Sequence, residues 1–146
     1  MFEAVLSVWM MAGRPRNTQA PNMRYVIMPG HRPSPPSLGE FEQVILLALL
    51  RLEPRAYGAS IQREIERRTG RQVLLSSIYI TLDRLERKEL IESWIGEPTP
   101  ERGGRRKKLY RLLPVGAEAV AAALNTVQQL ADGVERRLAA RVASSS

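Results

Sequence analysis

Hydroxyl and cationic side chains recur on one side of a short helical pattern between residues 77 and 88. Ile78, Leu82 and Leu85 are spaced i, i+4 and i+7, which predicts a helix with one buried stripe, and Ser76 is a suitable N-cap. Hydroxyl and guanidinium groups on the opposite face suit base edges and phosphates in a major groove. The helix alone is equally compatible with an ordinary solvated face. The candidate residues on it are Ser77, Ile80, Thr81, Arg84, Arg87 and Lys88.

A basic, glycine-containing loop follows this helix and separates two strand patterns, at residues 90–95 and 109–113. Gly103 and Gly104 permit a tight turn and a close approach of the backbone to a phosphate. A basic run alone is usually a solvated face. Directly after a candidate recognition helix, however, it predicts a wing that contacts the DNA backbone or minor groove. The wing candidates are Arg102, Arg105, Arg106, Lys107 and Lys108.

The overall composition favours a polyanionic partner and argues against catalysis. The 146 residues include 22 Lys and Arg against 15 Asp and Glu, a formal charge of +7. Such an excess favours DNA, RNA or an anionic membrane surface. There is no cysteine, and the one histidine, His31, lies in a proline-rich stretch, so we predict no enzyme activity, no metal site and no cofactor. The lack of cysteine fits a reducing compartment, and we expect a cytoplasmic protein.

The elements that must position these residues begin near Leu38. We expect residues 1–37 to be a flexible leader, because prolines and glycines interrupt them. The apolar run at residues 4–12 is too short to span a bilayer, which takes about 20 residues. A signal peptide has basic residues before its apolar segment, and this run has none before it. Helix one, at residues 39–52, is apolar around most of its circumference, which predicts central burial. Helix two spans residues 59–69 and stops at Gly70. Together with helix three and the wing, these helices predict a winged helix-turn-helix domain over residues 38–113.

A last helix is predicted over residues 114–142, with Pro114 in its first turn. Its apolar residues repeat at threes and fours over roughly 28 residues, or about 42 Å. A helix of that length overhangs a small winged domain, so a second copy of the chain is the favoured partner. Packing against helix one of the same chain is the alternative. We expect residues 143–146 to be a disordered tail, and the predicted dimerisation residues are Val120, Leu124, Val127, Leu130, Val134 and Leu138.

Taken together, these pieces resemble the PadR family of winged helix-turn-helix regulators over residues 38–138. The matching segments are LL at 49–50, YGASI at 57–61, SIY at 77–79, LDRLE at 82–86, LI at 90–91, GGRRK at 103–107, YRL at 110–112 and PVG at 114–116. The resemblance implies a homodimeric repressor in which Tyr79 helps to hold helix three on DNA. The single last helix resembles the compact subgroup. Glu89 stands where the family usually has glycine, which predicts a less sharp end to helix three.

We therefore predict a mainly α protein with a small β-hairpin, acting as a sequence-specific, homodimeric repressor on a pseudo-palindromic operator. Two other classes remain open: a nonspecific RNA-binding or ribosome-associated protein, and a winged-helix protein–protein adaptor. The resemblance also implies an apolar space between subunits that accepts flat ligands, which Phe41 or Trp94 could line. Simple core burial of both aromatic residues is the favoured interpretation, and no ligand is assigned.

Overall fold

The computed structural model describes residues 34–98, 100 and 104–145, and within these ranges five helices and one small sheet form. Most of the expected leader lies at residues 1–33, outside the described residues. The expectation of a mainly α protein with a small β-hairpin is confirmed. The elements are α1 (Glu40–Leu52), α2 (Gly58–Thr69), α3 (Leu75–Arg87), β1 (Ile91–Ile95), β2 (Lys108–Leu112), α4 (Pro114–Ala131) and α5 (Glu135–Ser144).

The core lies where α1, α2 and α3 pack on one another and on the hairpin. The predicted inner stripe of α3 is confirmed, since Ile78, Leu82 and Leu85 are fully buried. The central burial predicted for α1 is only partly observed, because Ile45, Leu46 and Leu49 are fully buried but Leu50, on another face, is half exposed. Removing these aliphatic side chains from water is the main force that holds the three helices together. The other core residues include Ile45, Leu46, Leu49, Ile61, Ile65, Leu90, Ile91 and Tyr110.

Both ends of α2 are stabilised by hydrogen bonds between residues that are near one another in the sequence. The Tyr57 N–H donates to Ser60 Oγ at 2.9 Å, which satisfies a donor that the first turn leaves free. At the other end Gly70 adopts φ +69, and its N–H donates to the Glu66 carbonyl. The stop predicted at Gly70 is confirmed, because glycine adopts this left-handed conformation without a Cβ clash.

The hairpin packs one face against the helices and presents the other outward. Its strands are antiparallel, with Ile91 opposite Leu112 and Ile95 opposite Lys108. Tyr110 is buried, and its backbone N–H donates to the Ala56 carbonyl, which joins β2 to the turn before α2. The hairpin is thereby fixed to the start of α2 as well as to α3.

The C-terminal part contains two helices, so the prediction of one continuous helix over residues 114–142 is wrong. Gly133 has φ +77 between α4 and α5, and a left-handed glycine ends an α-helix. The start of α4 packs tightly, because a Cβ on Gly116 would lie 2.2 Å from the Leu90 carbonyl oxygen. Val120 is buried within its own chain, so this residue is not available to a second copy as predicted.

Candidate nucleic-acid interface

The exposed residues of α3 form a single line along the helix, which we call the outer stripe. They are spaced at threes and fours, as residues on one helical face must be. Ile80 is 61% exposed although it is aliphatic, and Arg84 and Arg87 form no ion pair within the described residues. This face offers apolar, hydroxyl and guanidinium groups together. The outer stripe consists of Ser76, Tyr79, Ile80, Asp83, Arg84 and Arg87.

Helix α3 begins earlier than predicted, so the N-cap assigned to Ser76 is wrong. The helix starts at Leu75, and Leu74 occupies the cap position. Ser76 therefore lies in the first turn, where its side chain belongs to the outer stripe. Sequence reasoning missed it as a candidate contact, although its spacing of three and four from Tyr79 and Ile80 is the signal that identifies it.

Two candidates, Thr81 on α3 and Lys88 directly after it, have partners within the protein. Thr81 is buried, and its Oγ1 donates to the Ser77 carbonyl at 2.8 Å. Lys88 donates from Nζ to both carboxylate oxygens of Glu42, so its charge is paired within the chain. Ser77 itself is half-buried, next to the open space lined by Phe41 and Leu74.

The end of α3 is sharp, so the expectation of a less sharp end at Glu89 is wrong. The Leu90 N–H donates to the Leu85 carbonyl at 3.1 Å, and the Glu89 N–H donates to the Glu86 carbonyl at 2.9 Å. These two bonds form a Schellman motif, which requires a left-handed residue between them. Glu89 supplies it at φ +58, a conformation that glycine would adopt at lower cost.

One carboxylate joins the recognition helix to the wing. Glu86 of α3 accepts from Ser93 Oγ in β1 and from Lys108 Nζ in β2, the latter at 3.2 Å. Burial lowers the pKa of Lys108, but the hydrogen bond and charge of Glu86 outweigh it, so that the pKa is raised from its ordinary value. Lys108 was a wing candidate, and its ammonium is paired with Glu86 of α3.

Three of the remaining wing candidates, Arg105, Arg106 and Lys107, lie in the segment that leads into β2. Arg105 and Arg106 are exposed and form no ion pair with any residue that the structure describes. Lys107 Nζ lies 4.4 Å from the centre of the Tyr57 ring, at the start of α2. Arg102 and Gly103 lie outside the described residues.

The ion pairs distinguish the basic side chains that have a carboxylate partner in the chain from those that have none among the described residues. Over the described ranges, seven basic side chains pair with carboxylates: Arg51, Arg67, Arg68, Arg71, Lys88, Lys108 and Arg111. Arg84 and Arg87 on α3, and Arg105, Arg106 and Lys107 beside the wing, do not. Of the ten described basic side chains without an ion pair, these five lie on the recognition helix and beside the wing, where phosphates would meet them. The other five are Arg55, Arg63, Arg136, Arg137 and Arg141.

The two aromatic residues considered for an apolar ligand lie in different places. Phe41 packs against the core near the start of α1, with the Arg71 guanidinium 5.4 Å from its ring centre. Trp94 is on the outer face of β1, with the Arg111 guanidinium 5.9 Å from its ring centre. They line separate open depressions, so within one described chain they do not form a shared ligand space.

The C-terminal helices carry a row of exposed aliphatic residues, which we call the apolar stripe. Leu130 is 76% exposed and Leu138 is 64% exposed, values that are unusual for leucine in a folded domain. The apolar stripe consists of Leu124, Val127, Leu130, Val134 and Leu138. Five of the six residues predicted for dimerisation are therefore exposed, and Val120 is the exception.

In the ranges that the structure describes, no helix is both long and apolar enough to cross a membrane. Nor do three or more His, Cys, Asp or Glu side chains there come together in a way that could hold a metal ion.

A helix-turn-helix with a β-hairpin wing defines the class of winged helix-turn-helix proteins. Comparison with known proteins identifies the family within this class. The model of the transcriptional regulator PadR-like family matches residues 46–122, just over half the chain. An uncharacterized protein X of Lysinibacillus sphaericus is 36% identical over 80 residues, which cover 53% of this chain and 69% of that protein. The chain belongs to the PadR-like family of transcriptional regulators.

Solved structures agree with this assignment of the fold. A PadR family transcription regulator from Clostridium difficile has a TM-score of 0.58 at 23% identity, covering 68% of this chain and 99% of that one. A PadR-like transcriptional regulator from Bacillus cereus has a TM-score of 0.56 at 21% identity, covering 67% and 90%. The predicted family is confirmed, and the chain is a DNA-binding transcriptional regulator rather than an enzyme.

Proposed function

We propose that the chain is a cytoplasmic, homodimeric repressor that binds a pseudo-palindromic operator with two copies of α3. Each α3 enters a major groove, and the two grooves lie about 34 Å apart along one face of the duplex. Occupation of a promoter by such a dimer blocks polymerase. The arrangement of charges and apolar surfaces on this chain supports such a dimer.

The observation that carries the proposal is the outward, unpaired charge of α3 and the wing. Arg84 and Arg87 on α3 are free for base edges or phosphates, because no described carboxylate pairs with them. Ser76, Tyr79 and Ile80 lie on the same stripe and add a hydroxyl, a phenol and an aliphatic surface. Arginine commonly reads guanine in the major groove, and aliphatic groups contact the thymine methyl.

The wing is proposed to hold the DNA backbone beside the groove. Arg105 and Arg106 are exposed in the segment that leads into β2, and Arg102 belongs to the part of the loop outside the described residues. Contacts of this kind give affinity and register but carry no sequence information. Lys108 is proposed to act indirectly, because its ammonium contacts Glu86.

A second copy of the chain is the proposed cover for the apolar stripe. Exposed leucine and valine residues in a row cost free energy in water, and a helix from a second subunit removes them from it. A twofold dimer also explains why a repressor of this size needs only one recognition helix per chain. The apolar stripe extends from α4 into α5 across Gly133, so both C-terminal helices are proposed to take part.

Selection of bound genomic DNA tests the function as a whole. Purified protein is mixed with sheared genomic DNA, and the fragments that remain bound in 0.15 M salt are sequenced. A repressor enriches a discrete palindrome. Enrichment of all fragments alike would support a nonspecific nucleic-acid binder, and retention of none would support a protein–protein adaptor; either result overturns the proposal.

Substitutions then separate sequence reading from backbone contact. Arg84→Ala is expected to change the preferred sequence, whereas Arg106→Gln is expected to weaken all sequences alike and to lower the salt slope by about one. Arg111→Gln is the matched control, because this basic residue of the same hairpin is paired with Glu92. If Arg84→Ala leaves both affinity and preference intact, the assignment of α3 as the reading helix fails.

The dimer is tested by placing a charge on the apolar stripe. Leu130→Asp is expected to yield monomers in analytical ultracentrifugation and to weaken operator binding. Gln129→Asp adds the same charge on the opposite side of α4 and is expected to leave the dimer intact. A wild-type protein that is monomeric at micromolar concentration would contradict the proposal directly.

A further inference from the structure

Three elements meet at a corner beside the outer stripe. A Cβ on Gly58, at the start of α2, would lie 2.6 Å from the Tyr79 ring, so the ring covers the backbone there. Lys107 reaches the Tyr57 ring from the residue before β2, and Glu86 joins β2 to α3. The start of α2, the recognition helix and the wing therefore contact one another pairwise.

The side chains at this corner offer hydrogen-bond donors and positive charge. Arg63 Nη2 donates to the Tyr57 hydroxyl oxygen at 2.6 Å, and its guanidinium lies 5.7 Å from the Tyr57 ring centre. Lys107 lies over the same ring at 4.4 Å. Neither cation pairs with a carboxylate among the residues that the structure describes.

The hydroxyl of Tyr57 is left with a proton to donate. Its oxygen accepts from Arg63, and no acceptor for its own proton is present among the described residues. Burial raises the pKa of Tyr57, but the hydrogen bond from Arg63 and the charges of Arg63 and Lys107 outweigh it, so the pKa is lowered. The potential at the phenol is therefore positive.

We propose that Tyr57, Arg63 and Lys107 form a phosphate corner, which holds one backbone phosphate of the DNA between the recognition helix and the wing. The inference rests on the proposed DNA-binding function and deepens it. A duplex that takes α3 in its major groove and meets the wing with the adjoining backbone passes the corner. There one hydroxyl, one guanidinium and one ammonium group can donate to the two non-bridging oxygens of a backbone phosphodiester, each of which accepts more than one hydrogen bond.

The arrangement also explains why a tyrosine stands at the N-terminal end of α2. Serine, threonine, asparagine and aspartate are the common N-caps, and Tyr57 has no side-chain capping bond. Ser60 supplies the local hydrogen bonds instead, since its Oγ accepts from the Tyr57 N–H and donates to the Tyr57 carbonyl. The phenol is thus free to orient Arg63 and to support Lys107.

Binding measurements on single variants test the phosphate corner. Arg63→Gln is expected to lower affinity about five- to tenfold for operator and for unrelated DNA alike, and to reduce the salt slope by about one. Tyr57→Phe keeps the ring but removes the hydroxyl, and a loss of about threefold is expected. Arg136→Gln, which removes the same charge from the side of α5 opposite the apolar stripe, is expected to bind like wild type.

A neutral phosphate analogue gives the sharper result. Methylphosphonates placed singly along each half-site are expected to weaken wild-type binding at one position beside the wing, and Arg63→Gln is expected to abolish that additional loss. Wild-type affinity and slope in both variants, or a loss confined to one sequence, would overturn the inference. Failure of wild-type protein to bind any duplex would instead overturn the proposed function.

Discussion

Lys88, at the end of α3, donates to both carboxylate oxygens of Glu42 in α1, at 2.7 and 2.9 Å. The Glu42 side chain is only 6% exposed, and it also accepts from the Gly39 N–H at 3.0 Å. Burial raises the pKa of Glu42, but the hydrogen bonds from Lys88 and Gly39 outweigh it, so the pKa is lowered. This contact fastens the end of the recognition helix to the first helix of the core.

Removal of Lys88 is expected to weaken the fold rather than the DNA contacts alone. Lys88→Met leaves the buried Glu42 carboxylate without its cation, and we expect the free energy of unfolding to fall by about 2 kcal/mol. Arg87→Met, at the neighbouring exposed position, is expected to change it by less than about 0.5 kcal/mol. Urea denaturation measures both, and equal effects would show that the Glu42 contact is not structural.

Glu89 is a site where a glycine is expected to stabilise the protein. Its φ of +58 is unfavourable for a residue with a Cβ. Glu89→Gly should raise the free energy of unfolding by about 1 kcal/mol, since glycine adopts this conformation without strain. Glu89→Ala keeps the Cβ and serves as the control for loss of the charge. If alanine stabilises the protein as much as glycine in urea denaturation, the backbone explanation is wrong.

A side chain at position 58 is expected to displace the Tyr79 ring. Gly58→Ala places the new Cβ against the end of this exposed ring, which must turn aside, and we expect a loss of about 1 kcal/mol in stability. In a Tyr79→Ser background the ring is absent, so the same substitution should cost almost nothing. A double-mutant cycle by thermal unfolding measures the difference; equal costs in both backgrounds would place the conflict elsewhere.

Glu64 is expected to make stability depend on pH in the acid range. Hydrogen bonds from Arg67 and Arg68 lower its pKa to about 2 from an ordinary 4.5. A carboxyl whose pKa is depressed by folding stabilises the protein above its unfolded pKa, and that contribution is lost as pH falls towards 2. The thermal unfolding temperature of the wild-type protein should fall between pH 4.5 and 2, and in Glu64→Gln this fall should be smaller. Parallel profiles would refute this role.

Local periodicity was enough to predict the recognition helix, its inner stripe and the wing. Ile78, Leu82 and Leu85 recur at helical spacing and are fully buried, because α3 has to cover the core along one line. The stop at Gly70 was equally accessible, since a glycine after a polar helical turn is a strong local signal.

Where the structure differs from the sequence-based expectations, the cause is a side-chain contact or a backbone conformation that residue periodicity does not encode. Lys88 has the type of a DNA-contacting residue, yet its partner Glu42 lies 46 positions earlier in the chain. Thr81 is turned inward by a hydrogen bond to Ser77 that any helical threonine can form. At Gly133 the apolar repeat runs on while the helix does not, so periodicity concealed the break.

On α3, the residues that anchor the helix in the core are not the residues that face outward. Ile78, Leu82 and Leu85 hold it in the core, whereas Ile80 and Arg84 face outward. Related chains that keep the anchoring residues can therefore diverge at the presented ones without losing their fold. Gene duplication followed by substitution of a few residues on the outward face of α3 is therefore a short evolutionary route to regulators with new target sites.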